Sequence, residues 1–530
     1  MKYILYAAGI MMTLLSCNGG APKKTLPVIA RDTTIQPQVA FTLLRLDSNA
    51  VENFLDKEVK NDSTKSKITG FYNARNYQYA WFTEDGLSES GEAFWNLHQK
   101  QERGAKDTSN EDRRLHLAVQ TLLNDEEAKL NKDSVKKIEL DLTVHFFEYV
   151  KTAFGGKVNP EDLQWHIPRR KLNAAALLDS FLAGGDKDWQ PLNPSFYQLQ
   201  GKLKLYASVV KAGGWSEINS TVKKLKKGQS NTAITAVKKR LQVSGDFAGA
   251  DTSQLFTPAL YDAVKNLQTS FGLKEDGIIT TAFLDRLNVP AEERMQQMLI
   301  NLERMRWLPE PQPDRIVANI PEYKLHVYES GKEVLAMNIV VGKAANRTVI
   351  FSDVLEYVVF SPYWNVPRSI VRNEIVPAMN RNSNYIGRNN MEITGYSNGL
   401  PIVRQKPGGG NALGKVKFIF PNGYNIYLHD TPAKTLFNKE SRAFSHGCVR
   451  VQEPFTLAQY LLRNNKAWTE SKIKKAMNSQ KEDWVKLDKP LPVYLLYLTS
   501  WVDEDGVLNF RDDIYGHDKK LGDRLFTADN

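Results

Sequence analysis

A chain of 530 residues is too long for a single core and implies three or more domains. Its hydrophobic fraction of 42% and charged fraction of 25% are those of an ordinary globular protein, and its two cysteines exclude both a disulfide framework and a cysteine-rich zinc site. The net charge of +10 suits an anionic surface, but the basic residues are thinly spread. Lys223-Lys224-Leu225-Lys226-Lys227 is the densest short run, and no Arg-rich arm accompanies it, so no nucleic-acid partner is expected.

The N-terminus accounts for one cysteine. Lys2 precedes the apolar run Tyr3–Leu15, which is too short to span a bilayer and has the proportions of a signal-peptide core. It ends Leu14-Leu15-Ser16-Cys17, which resembles the lipobox of bacterial lipoproteins. That resemblance implies a signal peptide over 1–16, lipidation at Cys17 and attachment to a membrane. Residues 17–40 read as a flexible tether. Cys448 is then the only thiol left for the folded domains, and it works outside the cytosol.

Residues 41–220 read as a helical scaffold with an aromatic core. Phe71-Tyr72 to Tyr77 and Ala80-Trp81-Phe82 are aromatic-dense, Asp85-Gly86 marks a turn, and a helix is expected over 88–99. Val144, Phe147 and Val150 have helical spacing, and Gly155-Gly156 ends that helix. His145 lies on it without a second ligand at i+3 or i+4, as a structural histidine would.

Residues 221–290 hold three helical periods. Ile234, Val237 and Leu241 mark the first. Thr257-Pro258 opens the second, with Leu260, Val264, Leu267 and Phe271 on one face. The third covers 281–287. Val237–Gln242, Ala263–Gln268 and Gly272-Leu273 before Asp276-Gly277 resemble the three-helix peptidoglycan-binding module. Ala291–Trp307 follows as an amphipathic connector within residues 291–310, its methionines facing a core.

From residue 311 to 505 the period becomes that of strands. Arg315–Ile320, Tyr323–Tyr328, Glu333–Val341 and Val354–Phe360 are short β-branched runs. Residues of about 370–415 are polar, lack a strong core signal and read as an inserted lid. Val416–Phe420 and Tyr424–Leu428 form a hairpin pattern around Pro421-Asn422-Gly423, and the second run ends at His429. Leu491–Leu498 is a closing strand, and 506–530 form a C-terminal tail.

The chemistry concentrates in Ser445-His446-Gly447-Cys448-Val449-Arg450. A thiol titrates near pH 8.5 and needs a neighbouring base to act as a nucleophile. His429 and His446 are both candidates. The amides of Gly447 and Cys448 are candidate oxyanion donors, and the Arg450 guanidinium is a fork for a carboxylate. A metal site built from His429, His446 and Cys448 lacks a fourth ligand, so neither metal nor cofactor is expected.

Tyr427-Leu428-His429-Asp430 followed by Ser445–Val451 resembles the signature of the L,D-transpeptidase (YkuD) catalytic domain. Asn301–Trp307, Pro362–Pro367 and Tyr497–Trp501 resemble its large, scaffold-bearing YcbB-like branch. The resemblance implies a multidomain α+β chain: a helical scaffold, a peptidoglycan-binding module, and a β-sandwich catalytic domain with an inserted lid. It implies Cys448 as nucleophile, His429 as general base, and an oxyanion hole from the Gly447 and Cys448 amides with help from His446. Arg450, Tyr427 and Trp364 would line the substrate groove. Asp430 departs from the small residue often found after the histidine. The implied partners are peptidoglycan stem peptides, a tetrapeptide donor and an acceptor amine, in the cell envelope of a bacterium. The implied product is a 3→3 crosslink. An L,D-carboxypeptidase using the same thiol and a non-catalytic wall-binding tether are the alternatives.

Overall fold

The computed structural model describes residues 42–102, 110–124, 131–184, 189–220 and 223–526. The signal segment, Cys17 and the tether lie outside the described residues. The described chain falls into two compact units.

The first unit comprises residues up to 145 together with a segment from 178. Its helices include Ser48–Glu58, Asp62–Ala74 and Glu89–Glu102. The last of these overlaps the helix expected over 88–99. The helix expected around Val144–Thr152 is longer than its apolar spacing suggested and runs Lys132–Gly155. Trp81 stacks on Phe94 at 5.2 Å, and Phe181 meets Phe94 edge-on at 6.2 Å. His145 packs edge-on against His98, with ring centroids 5.0 Å apart. Glu139 is fully buried beneath this aromatic core. It accepts hydrogen bonds from the Ala80 amide at 2.6 Å, the Trp81 amide at 2.9 Å and the Tyr72 hydroxyl at 2.9 Å. Burial pushes its carboxyl up to about 7. Glu139→Leu strands two buried amides, while the Tyr72 hydroxyl keeps Thr143, so we expect this unit to lose about 3 kcal/mol. Faster hydrogen exchange at the Ala80 and Trp81 amides would report it.

The second unit comprises residues 146–177 and the chain from 187 onward. Its small module has the three expected helices, Thr232–Val243, Pro258–Ser270 and Thr281–Leu287. Asn231, Thr257 and Thr280 cap them through side-chain oxygens. Lys238 is fully buried within the module, where its ammonium is held by Asp251, Ser253 and the Leu255 carbonyl. The connector runs Ala291–Trp307 as its spacing predicts. Asn301, Glu303 and Arg304 on it are buried and hydrogen-bonded. Asn301 exchanges hydrogen bonds with the Thr499 amide and hydroxyl, and Arg304 pairs with Asp518 at 2.6 Å. Glu303 accepts the amides of Lys157 and Val158.

Nine strands build the main sheet after the connector: β1 (Arg315–Asn319), β2 (Lys324–Glu329), β3 (Lys332–Gly342), β4 (Ile350–Phe360), β5 (Val416–Ile419), β6 (Leu428–His429), β7 (Ala443–Ser445), β8 (Val449–Val451) and β9 (Asp483–Leu496). The order is β5-β6-β8-β3-β2-β1-β9-β4, and β5 also pairs with β4. The sheet therefore closes on itself, with β5 covering β4 only at Tyr357–Phe360. Buried Ile316, Leu325, Val327, Ile339, Leu355, Val358, Val449 and Val493 fill its core. The closing strand is longer than the expected Leu491–Leu498. It continues back to Asp483 through a register shift between Lys486 and Leu491, and Pro490 falls inside that irregular stretch. Trp165–His166, within a region whose sequence reads as helical, adds a short parallel strand beside β4.

The inserted stretch carries its own core, contrary to the weak core signal in its sequence. Trp364–Asn365, Met391–Ser397 and Leu400–Gln405 form a three-stranded sheet. Arg368–Ile370, the π-helical turn Val371–Ile375 and Val376–Arg381 lie between its first and second strands in the chain. Val366, Ile370, Val371, Ile375 and Val403 are buried together. Four of these five lie within residues 366–375, and Val403 joins them from the third strand of the small sheet. Among the described residues, no helix is long and apolar enough to cross a membrane.

Candidate active site

Strands β6 and β8 lie side by side and parallel, with Leu428 opposite Val449 and His429 opposite Arg450. The Val449 amide donates to the Tyr427 carbonyl at 3.2 Å, which carries the alignment one residue further back. Leu428, Val449 and Val451 are fully buried in the core. Alternation then turns Tyr427, His429, Cys448 and Arg450 to the other face. Two short strands thus gather four of the sequence-predicted residues.

The turn between β7 and β8 holds the sulfur. Gly447 has φ +119°, a region L side chains rarely adopt. An added Cβ would meet only the Arg347 carbonyl at 3.7 Å, so backbone conformation rather than space demands glycine. The Ser445 hydroxyl staples the turn by donating to the Cys448 carbonyl at 2.6 Å and accepting the Gly447 amide at 3.1 Å. The Gly447 amide, one of the two expected oxyanion donors, is thereby already engaged. The Cys448 amide carries no such bond.

The Cys448 thiol donates to the Asn425 carbonyl at 3.6 Å. Burial pushes it up, against the opposing effects of the Tyr427 hydroxyl and the Arg450 charge. The Tyr427 phenol is itself pushed well up by burial and by the neighbouring sulfur. His429 is buried, and its Nδ1 lies 2.5 Å from the Asp430 carbonyl. Burial first, and the Arg450 charge second, hold its imidazole down at about 3. A neutral ring whose Nδ1–H donates to that carbonyl keeps its Nε2 lone pair free. The Asp430 carboxylate points elsewhere, to the Lys415 and Thr431 amides and the Lys434 ammonium. Gly414 makes room for it, since a Cβ there would lie 2.4 Å from that carboxylate. Arg450 has no carboxylate partner among the described residues, and its buried Nε is unpaired.

The remaining predicted residues sit apart. Trp364 packs against the small core of the inserted subdomain. His446 meets Glu374 of that subdomain at 3.1 Å. A cleft of about 630 Å³ on the β1-β2-β9 face includes Arg315, Glu322, His326 and Trp501 but none of residues 427–450. Its His326 lies between Glu322 and Glu333, which hold the imidazole up at about 9.

One support was not visible in the sequence. The Thr348 hydroxyl donates to the Gly447 carbonyl at 2.8 Å and accepts the Gly342 amide at 2.9 Å. The Tyr515 hydroxyl accepts the Thr348 amide and donates to the Gly342 carbonyl. The Tyr515 amide in turn donates to the Tyr497 hydroxyl, which donates to Asp513. The C-terminal segment thus braces the cysteine turn. Thr348→Val leaves a buried carbonyl and a buried amide unpaired, so we expect the β-rich domain to lose about 2 kcal/mol. A lower urea midpoint would show it.

Residues 313–477 match the family model described as the L,D-transpeptidase catalytic domain, YkuD. Residues 66–203 match a Scaffold domain, and residues 230–287 match a "Putative peptidoglycan binding domain". The chain thus carries a YkuD-type L,D-transpeptidase catalytic domain joined to a scaffold and a peptidoglycan-binding module. A Haemophilus influenzae protein described as "Putative L,D-transpeptidase" is 34% identical over 241 residues, which cover 43% of this chain and 49% of the relative. The match therefore spans about half the length of that relative. Among solved structures, the L,D-transpeptidase of Stackebrandtia nassauensis is 14% identical, covering 52% of this chain and 97% of its own, with a TM-score of 0.22. That of Mycobacterium smegmatis is 13% identical, covering 34% and 58%, with a TM-score of 0.19.

Proposed function

We propose that this protein is a peptidoglycan L,D-transpeptidase that forms 3→3 crosslinks through a thioester on Cys448. The reading rests on one observation above the others: a YkuD-matching domain turns Tyr427, His429, Cys448 and Arg450 to one face of two paired strands.

In this reading His429 Nε2 takes the thiol proton as sulfur attacks the carbonyl of the third stem residue. The new oxyanion is met by the Cys448 amide, and the Tyr427 hydroxyl lies beside the reacting sulfur. Arg450 takes a donor carboxylate. The C–N bond breaks, the terminal D-alanine leaves with the proton from His429, and a thioester remains. The side-chain amine of an acceptor stem resolves it. Two acyl transfers replace one difficult amide exchange. Trp364 contributes to the groove through the inserted subdomain, which limits access of water to the thioester. Cys17 carries the lipid anchor, residues 41–220 and 221–290 present the catalytic domain to the wall, and the setting is the cell envelope.

The test is incubation of the purified protein with disaccharide-tetrapeptides, followed by mass spectrometry. Crosslinked dimer is expected. Tripeptide monomer alone would mean an L,D-carboxypeptidase. No product, with no carbapenem adduct on Cys448, would leave only a wall-binding tether.

A further inference from the structure

One side chain of the inserted subdomain reaches the turn that carries Cys448. Glu374 Oε1 lies 3.1 Å from His446 Nε2. Glu374 belongs to the π-helical turn Val371–Ile375, and Val371 and Ile375 are buried in the subdomain core. That core fixes the backbone and holds the carboxylate outward. Isolated π turns recur at functional sites. Both partners stay open to solvent, with side chains 53% and 41% exposed. Among the described residues, Glu374 has no other cationic partner.

The chemistry on either side of the sulfur differs. Arg450 presents a positive charge and suits a carboxylate. Glu374 presents a negative charge at the solvent side of the same turn. In the tautomer that carries its proton on Nε2, facing that carboxylate, His446 presents an Nδ1 lone pair. His429 is buried, and Arg450 further lowers its basicity. A protonated amine arriving from solvent would therefore find its anion and its base at Glu374 and His446.

We propose that Glu374 and His446 form the subsite for the ammonium group of the acyl acceptor. The inference rests on the acyl-transfer function proposed for this site. Glu374 binds the ammonium, and His446 Nδ1 takes one proton from it. The free amine attacks the thioester carbon and a C–N bond forms. The C–S bond then breaks and sulfur leaves as thiolate. The second nitrogen proton passes through His429 to that thiolate and restores the thiol. The proton on His446 goes to solvent. A carboxylate on the lid thus selects an amine over water.

The experiment follows one preformed tetrapeptide acyl-enzyme of the full chain with two nucleophiles, water and a stem-peptide amine at rising concentration. In Glu374→Gln the amine concentration for half-maximal aminolysis should rise about tenfold, while the rate of hydrolysis stays within twofold of wild type. Glu374→Lys should raise it further, and Glu374→Asp should restore part of the loss. A role as a mere lid latch predicts the reverse pattern. Hydrolysis would then rise in Glu374→Gln with the amine dependence unchanged, and that result overturns the proposal. A wild-type protein that forms no acyl-enzyme overturns the transpeptidase function and this subsite together. A wild-type protein that forms dimer, with an unchanged amine dependence in all three variants, overturns the subsite alone.

Discussion

Cys448→Ala should form no acyl-enzyme, and crosslinked dimer should fall by at least about 10⁴-fold. The effect is large because a thioester requires a thiol. Cys448 is the only thiol beyond the N-terminal segment. The resting thiol is not activated: burial pushes it up, and it donates to the Asn425 carbonyl. Reactivity must therefore be gained when the donor binds. The turn itself does not depend on the sulfur, since Ser445, Thr348 and the Gly447 backbone hold it. Cys448→Ala should accordingly fold and keep its thermal midpoint within about 1 °C, which separates lost chemistry from lost structure. Intact-mass measurement with tetrapeptide donor or carbapenem reads the adduct directly. An adduct in the alanine variant would place the covalent chemistry elsewhere.

The sequence made the strand pair legible because its signals are local. Apolar Leu428, Val449 and Val451 alternate with Tyr427, His429, Cys448 and Arg450, and two short segments carry the whole face. The module and connector were legible for the same reason, with apolar spacing inside single windows and, in the module, caps as well. What stayed hidden depends on distant partners. Thr348 is an ordinary polar residue until Gly447, 99 positions away, needs a donor for its carbonyl. Glu374 is a surface carboxylate in sequence, and only the folded subdomain brings it to His446. The core of that subdomain joins Val366 to Val403. Trp165–His166 becomes a strand only because β4 offers it an edge. Spacing alone does not display that the Ser445 hydroxyl, two residues before Gly447, accepts one of the two candidate oxyanion amides. Asp430 was legible as unusual, but its role is not the one its charge suggests. Its carbonyl orients His429, while its carboxylate ties down the backbone at Lys415.

His429→Ala should slow acylation of Cys448 by roughly 10³-fold while leaving the fold intact. The imidazole starts as a weak base, held down at about 3 by burial and by Arg450. A donor carboxylate on Arg450 would cancel that second cause and raise the basicity of His429 only when substrate is present. The sign of the pH dependence follows. The free enzyme already holds His429 neutral, so kcat/KM should not fall through an ordinary histidine value near 6.5 as the medium is acidified. The limb should lie well below that, and the limb in kcat should lie above the limb in kcat/KM. Stability has the same origin. Between about 6.5 and about 3 the unfolded histidine binds a proton that the folded one refuses. Stability is therefore full above 6.5 and declines as pH falls through that window, and His429→Gln should flatten the decline. A wild-type kcat/KM that drops tenfold between pH 7 and pH 5.5, with the drop surviving in His446→Gln, would show that His429 titrates normally. The coupling between Arg450, the donor carboxylate and the buried base would then be wrong.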